Sequence, residues 1–260
     1  MCANISNMNT KKRTGLKYLL SSFSRNTILT SKYLTNMGFS RDLQIGYERN
    51  GWLKRVAQGA YTVLENTVDL NGAIYALQEQ LGLSFHIGGL TALNEQYGIL
   101  HNIPFSRKQQ LYGYRGEKLP KWFNTLYEDN IELNLTSFLP KDLSLIKQNH
   151  GDFETKVSSL ERAVLEMLYL VPEKVTLNEA YQLIESLTAV KPKEFQKLLE
   201  ECASIKIKRL FLYMAETAGH SWLKRINQES INLGKGVREI TKGGKYNKKY
   251  NIIIGDIEAI

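Results

Sequence analysis

The chain has 260 residues, with 34 Lys+Arg against 26 Asp+Glu for a formal charge of +8, 43% hydrophobic and 23% charged residues, and two cysteines. Those proportions are ordinary for a globular chain long enough to form two domains, and they exclude a disordered chain or a disulfide-stapled scaffold. The longest apolar runs, Met167–Val171 and Leu210–Ala215, fall far below the ~18–20 residues of a membrane span, so no membrane association is expected.

Residues 1–13 are polar, include Lys11, Lys12 and Arg13, and read as a loosely held basic arm. Basic residues ahead of Leu16–Leu20 superficially suggest a signal peptide, but Lys17 and two serines break the short run. The expected compartment is the cytoplasm. Leu16, Leu19, Leu20 and Phe23 form a helical stripe that would complete a three-helix core.

The stretch Thr30–Leu64 carries the strongest local signals. Thr30 or Ser31 can cap a first helix, whose end is marked by Met37-Gly38. Ser40 caps a second helix, Asp42 favours its positive N-terminal end, and Asn50-Gly51 stops it. Residues 52–56 and 60–64 read as strands joined by Gln58-Gly59. Helix, turn, helix and two-stranded wing is a geometry that reads DNA with its second helix in the major groove.

Leu43 and Tyr47, four residues apart, share one face and are expected to pack on the first helix. Ser40, Arg41, Gln44 and Glu48 are then expected to project outward. Arg and Gln pair bidentately with guanine and adenine edges, so Arg41 and Gln44 are the expected base readers. Ser31, Lys32, Lys54, Arg55 and Gln58 are the expected backbone contacts. The same pattern also fits a small helical subdomain with a solvated charged face.

Charge partition favours the DNA reading. Residues 1–65 hold 10 basic and three acidic residues, a net +7, leaving +1 for the other 195. Residues 235–260 carry +3, so the middle, 66–234, is mildly acidic at −2. Clustered basic charge is the footprint of a polyanion partner, through counterion release from phosphate.

After a polar junction at Glu65–Leu70, the expected domain boundary lies between 66 and 67. Asp69 or Asn71 opens a helix to about Leu81, with Ile74, Leu77 and Leu81 inward. Phe85–Ile87 reads as extended, and Gly88-Gly89 lead into a helix through Leu90, Leu93 and Tyr97. Gln110–Tyr114 and Ile131–Leu135 read as strands around a short helix at Pro120–Leu126. Ser158–Glu161 offers a capping box for a helix ended by Pro172. Further helices are expected over Leu177–Leu187, Lys193–Cys202 and Ile205–Thr217. A closing hairpin is expected to turn at Gly243-Gly244. The fold class is α+β: an N-terminal winged helix-turn-helix domain over 1–66 and a larger mixed domain over 67–260.

No catalytic constellation is legible, and neither a metal site nor a cofactor is expected. His86, His101, His150 and His220 are scattered without ligand spacing and read as satisfied side chains. Gly234-Lys235-Gly236 and Lys242–Lys245 resemble a phosphate cradle, but lack its strand–loop–helix context. Lys206–Arg209, Trp222 and Lys224-Arg225 combine cationic and aromatic character, suited either to a ligand or protein contact or to a packed helix with a solvated side.

Five blocks carry a family resemblance: TSKYLTNMGFSRDLQIGYERNGWLKRVAQGAY, FHIGGLTALNEQYG, LLEECASIKIKRLFLYMAE, GHSWLKR and INLGKGVREITKGGKYNKKYNI. Together they resemble the AbiEi-type antitoxins of bacterial type IV toxin–antitoxin systems. The resemblance implies an N-terminal winged helix that represses its own operon on promoter DNA. It also implies a C-terminal domain that counters a nucleotidyltransferase-type toxin, without a stable complex being required. The DNA-reading role transfers to Ser40, Arg41 and Gln44, and more weakly to Lys54, Arg55 and Gln58. The rival expectations are a ligand-sensing winged-helix regulator whose C-terminal domain binds a nucleotide or small molecule, and a plain DNA-binding factor without a toxin partner.

Overall fold

The computed structural model describes residues 15, 19, 23–24, 26–63, 67–98 and 108–257. The expectations for the basic arm, Leu16, Leu20, Leu64, Glu65 and His101 lie outside the described residues. Mixed helices and sheets make the fold α+β. Among the described residues no helix is long and apolar enough to cross a membrane.

The chain divides into two compact units: 1–85 with 118–129 and 147–155, and 86–117 with 130–146 and 156–260. The units therefore do not divide at 66/67. In the first unit, β1 (Leu29–Thr30), α1 (Ser31–Asn36), α2 (Arg41–Arg49), β2 (Leu53–Ala57) and β3 (Ala60–Val63) make the winged helix, with strand order β1-β3-β2. Leu19, Leu29, Leu34, Phe39, Tyr47, Leu53 and Tyr61 form its core, with Phe23 and Leu43 against it.

The next helix explains why the first unit continues past 66. Asp69 caps α3 (Leu70–Tyr75) by accepting from Gly72 N–H at 2.8 Å, and a π-helical turn follows over Ala76–Gln80. Gln80 at its end accepts from Thr30 N–H at 2.9 Å and donates to Ile28 O at 2.5 Å. The Gln80 amide thus completes the backbone pairing of β1, a contact across about 50 residues that no local pattern encodes. From α5 (Lys121–Tyr127), the Tyr127 hydroxyl donates to Val68 O and Asp69 O, both at 3.1 Å.

The second unit holds α4 (Gly89–Tyr97), β4 (His86–Ile87), β5 (Gln109–Tyr114), β6 (Ile131–Thr136) and the 145–146 and 156–158 ends of β7 (Leu145–Asn149) and β8 (Glu154–Ser158), strands whose order in the sheet is β6-β5-β4-β8-β7. The β7–β8 hairpin was not legible in the sequence, because LIKQN and ETKVS alternate weakly and lean on polar residues. Helix α6 (Leu160–Tyr169) is buried from Leu160 to Leu168 and is packed by α4, α7 (Leu177–Glu185), α8 (Pro192–Glu201) and α9 (Ile205–Thr217). Its cap is Ser159, which accepts from Arg162 N–H, so the expected Ser158–Glu161 box is corrected: Ser158 instead donates to Glu166.

The closing element also differs from expectation. β9 (Arg238–Glu239) runs parallel to β11 (Ile252–Ile254), and β10 (Lys245–Asn247) runs antiparallel to it. The hairpin turns at 248–251 rather than at Gly243-Gly244. There Asn247 Oδ1 accepts from Tyr250 N–H at 3.0 Å and Asn251 adopts φ +54°. Asparagine tolerates the left-handed conformation through its short polar side chain, so a turn without glycine was overlooked.

Candidate nucleic-acid interface

The reading unit is assembled from local capping and one buried amide. Thr30 accepts from Tyr33 N–H to start α1, and Ser40 accepts from Leu43 N–H at 3.3 Å to start α2. Between them Gly38 takes φ +89°, which lets the chain turn sharply enough for α2 to cross α1. Ser31 N–H donates to Gly59 O at 2.9 Å, so the start of α1 is tied to the wing turn.

Gln44 is the correction that matters most here. It is 1% exposed, not outward-facing. Its Oε1 accepts from Ser31 Oγ at 2.6 Å. Its Nε2 donates to Phe39 O at 2.7 Å, with Thr35 Oγ1 and Ser31 O at 3.1 and 3.3 Å. One side chain of α2 therefore satisfies polar groups from α1 and the turn at once, and it is not available to read a base. The reason is rotational. Residue 44 lies about 60° beyond Tyr47 on the helix circumference, at the edge of the inner face, and the acceptors of α1 and the turn draw its amide inward.

The outward arc of α2 is Arg41, Asp42, Ile45 and Arg49, with Glu48 half-buried at its edge. Arg41 occupies the first helical position and is exposed, as are Lys32 at the start of α1 and the cap Ser40. Ser31 is half-buried, its hydroxyl committed to Gln44. In the wing, Lys54, Arg55 and Gln58 are exposed. Lys54 stands opposite Thr62 and Arg55 opposite Tyr61, so the two cations leave opposite faces of β2. Sequence reasoning passed over Ile45, 41% exposed, and Trp52, 44% exposed. The signal for Ile45 was present: two residues from both Leu43 and Tyr47, it must face away from them.

Two polar clusters of the second unit are buried. The Glu166 carboxylate accepts from Ser158 Oγ at 2.6 Å, Arg162 Nε at 2.8 Å and Gly89 N–H at 3.1 Å, and its Oε1 lies 3.0 Å from His86 Nε2. Burial by itself pushes its carboxyl up. The attraction of His86 and Arg162, with hydrogen bonds from His86 and Ser158, outweighs that and holds it at about 2. All four side chains are buried, and the cluster ties β4, β8, α4 and α6 together. A Cβ on Gly88 would fall 2.1 Å from Glu166 Oε2, which is why the FHIGG block needs glycine there.

Arg209 is likewise buried and donates to four tail carbonyls: Leu233 O, Gly234 O, Gly236 O and Asn251 O, at 2.6–3.1 Å. Lys208 donates to Asn232 O at 3.1 Å, and Trp222 Nε1 to Leu187 O at 3.1 Å. The residues that suggested a ligand contact are in these cases spent on the fold. The carbonyls of Gly234 and Gly236 face Arg209 as acceptors, which is opposite in polarity to a phosphate cradle. His150 meets Thr155 Oγ1 at 2.8 Å and His220 meets Ile184 O at 2.7 Å. Among the described residues, no group of three or more His, Cys, Asp or Glu side chains is placed to hold a metal ion.

Two family models together match most of the chain. A family model described as "Transcriptional regulator, AbiEi antitoxin, Type IV TA system" matches residues 106–255. A second, described as "Transcriptional regulator, AbiEi antitoxin N-terminal domain", matches residues 12–105. The crystal structure of RV2827C protein from Mycobacterium tuberculosis is similar in fold, with a TM-score of 0.51 at 12% identity over 92% of this chain and 89% of that one. No curated protein matches the chain.

Proposed function

The chain belongs to the AbiEi antitoxin family of type IV toxin–antitoxin transcriptional regulators, and on that premise we propose that it represses its own operon in the cytoplasm and neutralises a cognate nucleotidyltransferase-type toxin. The observation that carries the first half is the outward arc of α2, led by Arg41, on a segment that holds +7 of the chain's +8. A helix presenting an exposed arginine at its N-terminal end, beside a basic wing, fits the major groove of double-stranded promoter DNA. Arg41 reads a base, Ser40 and Lys32 hold phosphates, and Lys54, Arg55 and Gln58 anchor the wing unequally.

The family is one of regulators rather than enzymes. The second unit carries the antitoxin role, acting without a stable complex with the toxin, and its buried ionic groups serve as scaffold. Titration of the full chain on its own promoter in a gel shift, at two salt concentrations, tests repression. Specific binding that weakens with salt is the expected result, and binding no better than to random DNA defeats it. Co-expression with the neighbouring toxin gene tests neutralisation: growth rescued by the full chain supports it, and unrelieved toxicity defeats it.

A further inference from the structure

The geometry points to Ile45 as the residue that reads a thymine methyl group in the operator, one helical turn along α2 from the base contacted by Arg41. This inference rests on the promoter-binding reading and gives it a base identity. Ile45 sits at the centre of the outward arc, with Arg41 one turn before it and Arg49 one turn after it, all three exposed. It is 41% exposed although it is a large apolar side chain on a nine-residue helix whose inner face already has its core. Flanking cations exclude a purely apolar partner, since burying both would leave two guanidinium groups unpaired. The thymine C5-methyl is the one apolar feature of the major-groove floor, flanked by base edges that suit Arg41 and by phosphates that suit Arg49. Charge complementarity between this +7 segment and DNA favours that occupant over a protein surface.

The neighbouring Gly46 is a second, independent sign of a close partner. Glycine is the poorest non-proline helix former, yet it stands in the middle of α2. Among the described residues nothing demands it there: an added Cβ would meet no atom within 4 Å, and its φ is not left-handed. A bare backbone at the flank of the outward arc admits a sugar–phosphate strand closer than any side chain allows, which lets Ile45 reach the groove floor.

The test replaces each thymine of the promoter fragment in turn by deoxyuridine, which removes only the methyl, and titrates full-length wild type and Ile45→Ala. Wild type is expected to lose about fourfold in affinity at one thymine, the transfer free energy of one methyl-sized group converted to a ratio. Ile45→Ala is expected to bind the unsubstituted promoter more weakly and to show no further loss at that position. Gly46→Ala is expected to unfold at a higher temperature than wild type and yet bind more weakly. Specific promoter binding with every thymine replaceable at no cost, or with the same loss in Ile45→Ala, overturns the methyl contact and leaves promoter binding standing. Absence of promoter-specific binding by wild type overturns both.

Discussion

Ser31 Oγ donates to Gln44 Oε1 at 2.6 Å, joining the first residue of α1 to the middle of α2. Because the Gln44 amide also reaches Phe39 O, the two helices and their turn are held by one buried side chain. Replacing Gln44 by Ala strands those partners, and leaving a buried polar group unpaired costs ~1–3 kcal/mol. Gln44→Ala should therefore lower the denaturation midpoint and weaken promoter binding uniformly across sequences. A base-specific loss with unchanged stability would return Gln44 to the role of a reader.

Arg41→Ala should cost ~1–3 kcal/mol on the cognate site and relax preference at one base pair. Lys54→Ala and Arg55→Ala should weaken cognate and random DNA alike, lowering the salt slope by about 1 in whichever variant lost the contact. Since the two wing cations leave opposite faces of β2, their effects should be unequal. Salt-dependent anisotropy titrations of the three variants separate these outcomes.

Glu166 makes stability depend on acid. Its carboxyl is held at about 2 against an ordinary 4.5. A folded-state value below the unfolded one contributes stability that is fully present above the unfolded value. That contribution is lost as the pH falls from about 4.5 toward about 2, and it amounts to something on the order of 3 kcal/mol. Denaturant titrations across that window should show a falling limb. Glu166→Gln, which keeps the shape but leaves the buried Arg162 without its counter-charge, should be less stable at pH 7 and flatter in acid.

Arg209 should be irreplaceable by lysine. Its guanidinium meets four carbonyls between Leu233 and Asn251, and an ammonium on a flexible stem cannot span them. Arg209→Lys and Arg209→Ala should each lose more than the ~1.5–3 kcal/mol of one charged hydrogen bond. Limited proteolysis should cut first within 233–251 in both variants, with the winged helix intact. A cleavage pattern like that of wild type would show that the tail is held by other contacts.

Local chemistry made much of this molecule legible. The caps Thr30, Ser40 and Asp69, the stop at Asn50-Gly51 and the periodic faces of α7, α8 and α9 are decided within a few residues, so sequence spacing places them. The concentration of charge in residues 1–65 needs no coordinates at all. The inward turn of Gln44 was half-legible, because Leu43 and Tyr47 fix the inner face but not its width. Its polar character drew it outward in the reading, whereas three acceptors across the turn drew it inward in the fold.

The sequence by itself determined a basic winged-helix segment ahead of a mixed α+β region, together with the family blocks that tie the chain to AbiEi antitoxins. Tertiary structure alone decided that Gln44 turns inward, where the first unit ends and how the buried charges are matched. The physical reason is separation along the chain. His86 and Glu166 are 80 residues apart, Gln80 and Thr30 are 50 apart, and β9 pairs in parallel with β11 although β10 intervenes in the chain. Such pairings are chosen by burial and by the need to satisfy every buried polar group, which act only once the chain has folded back on itself.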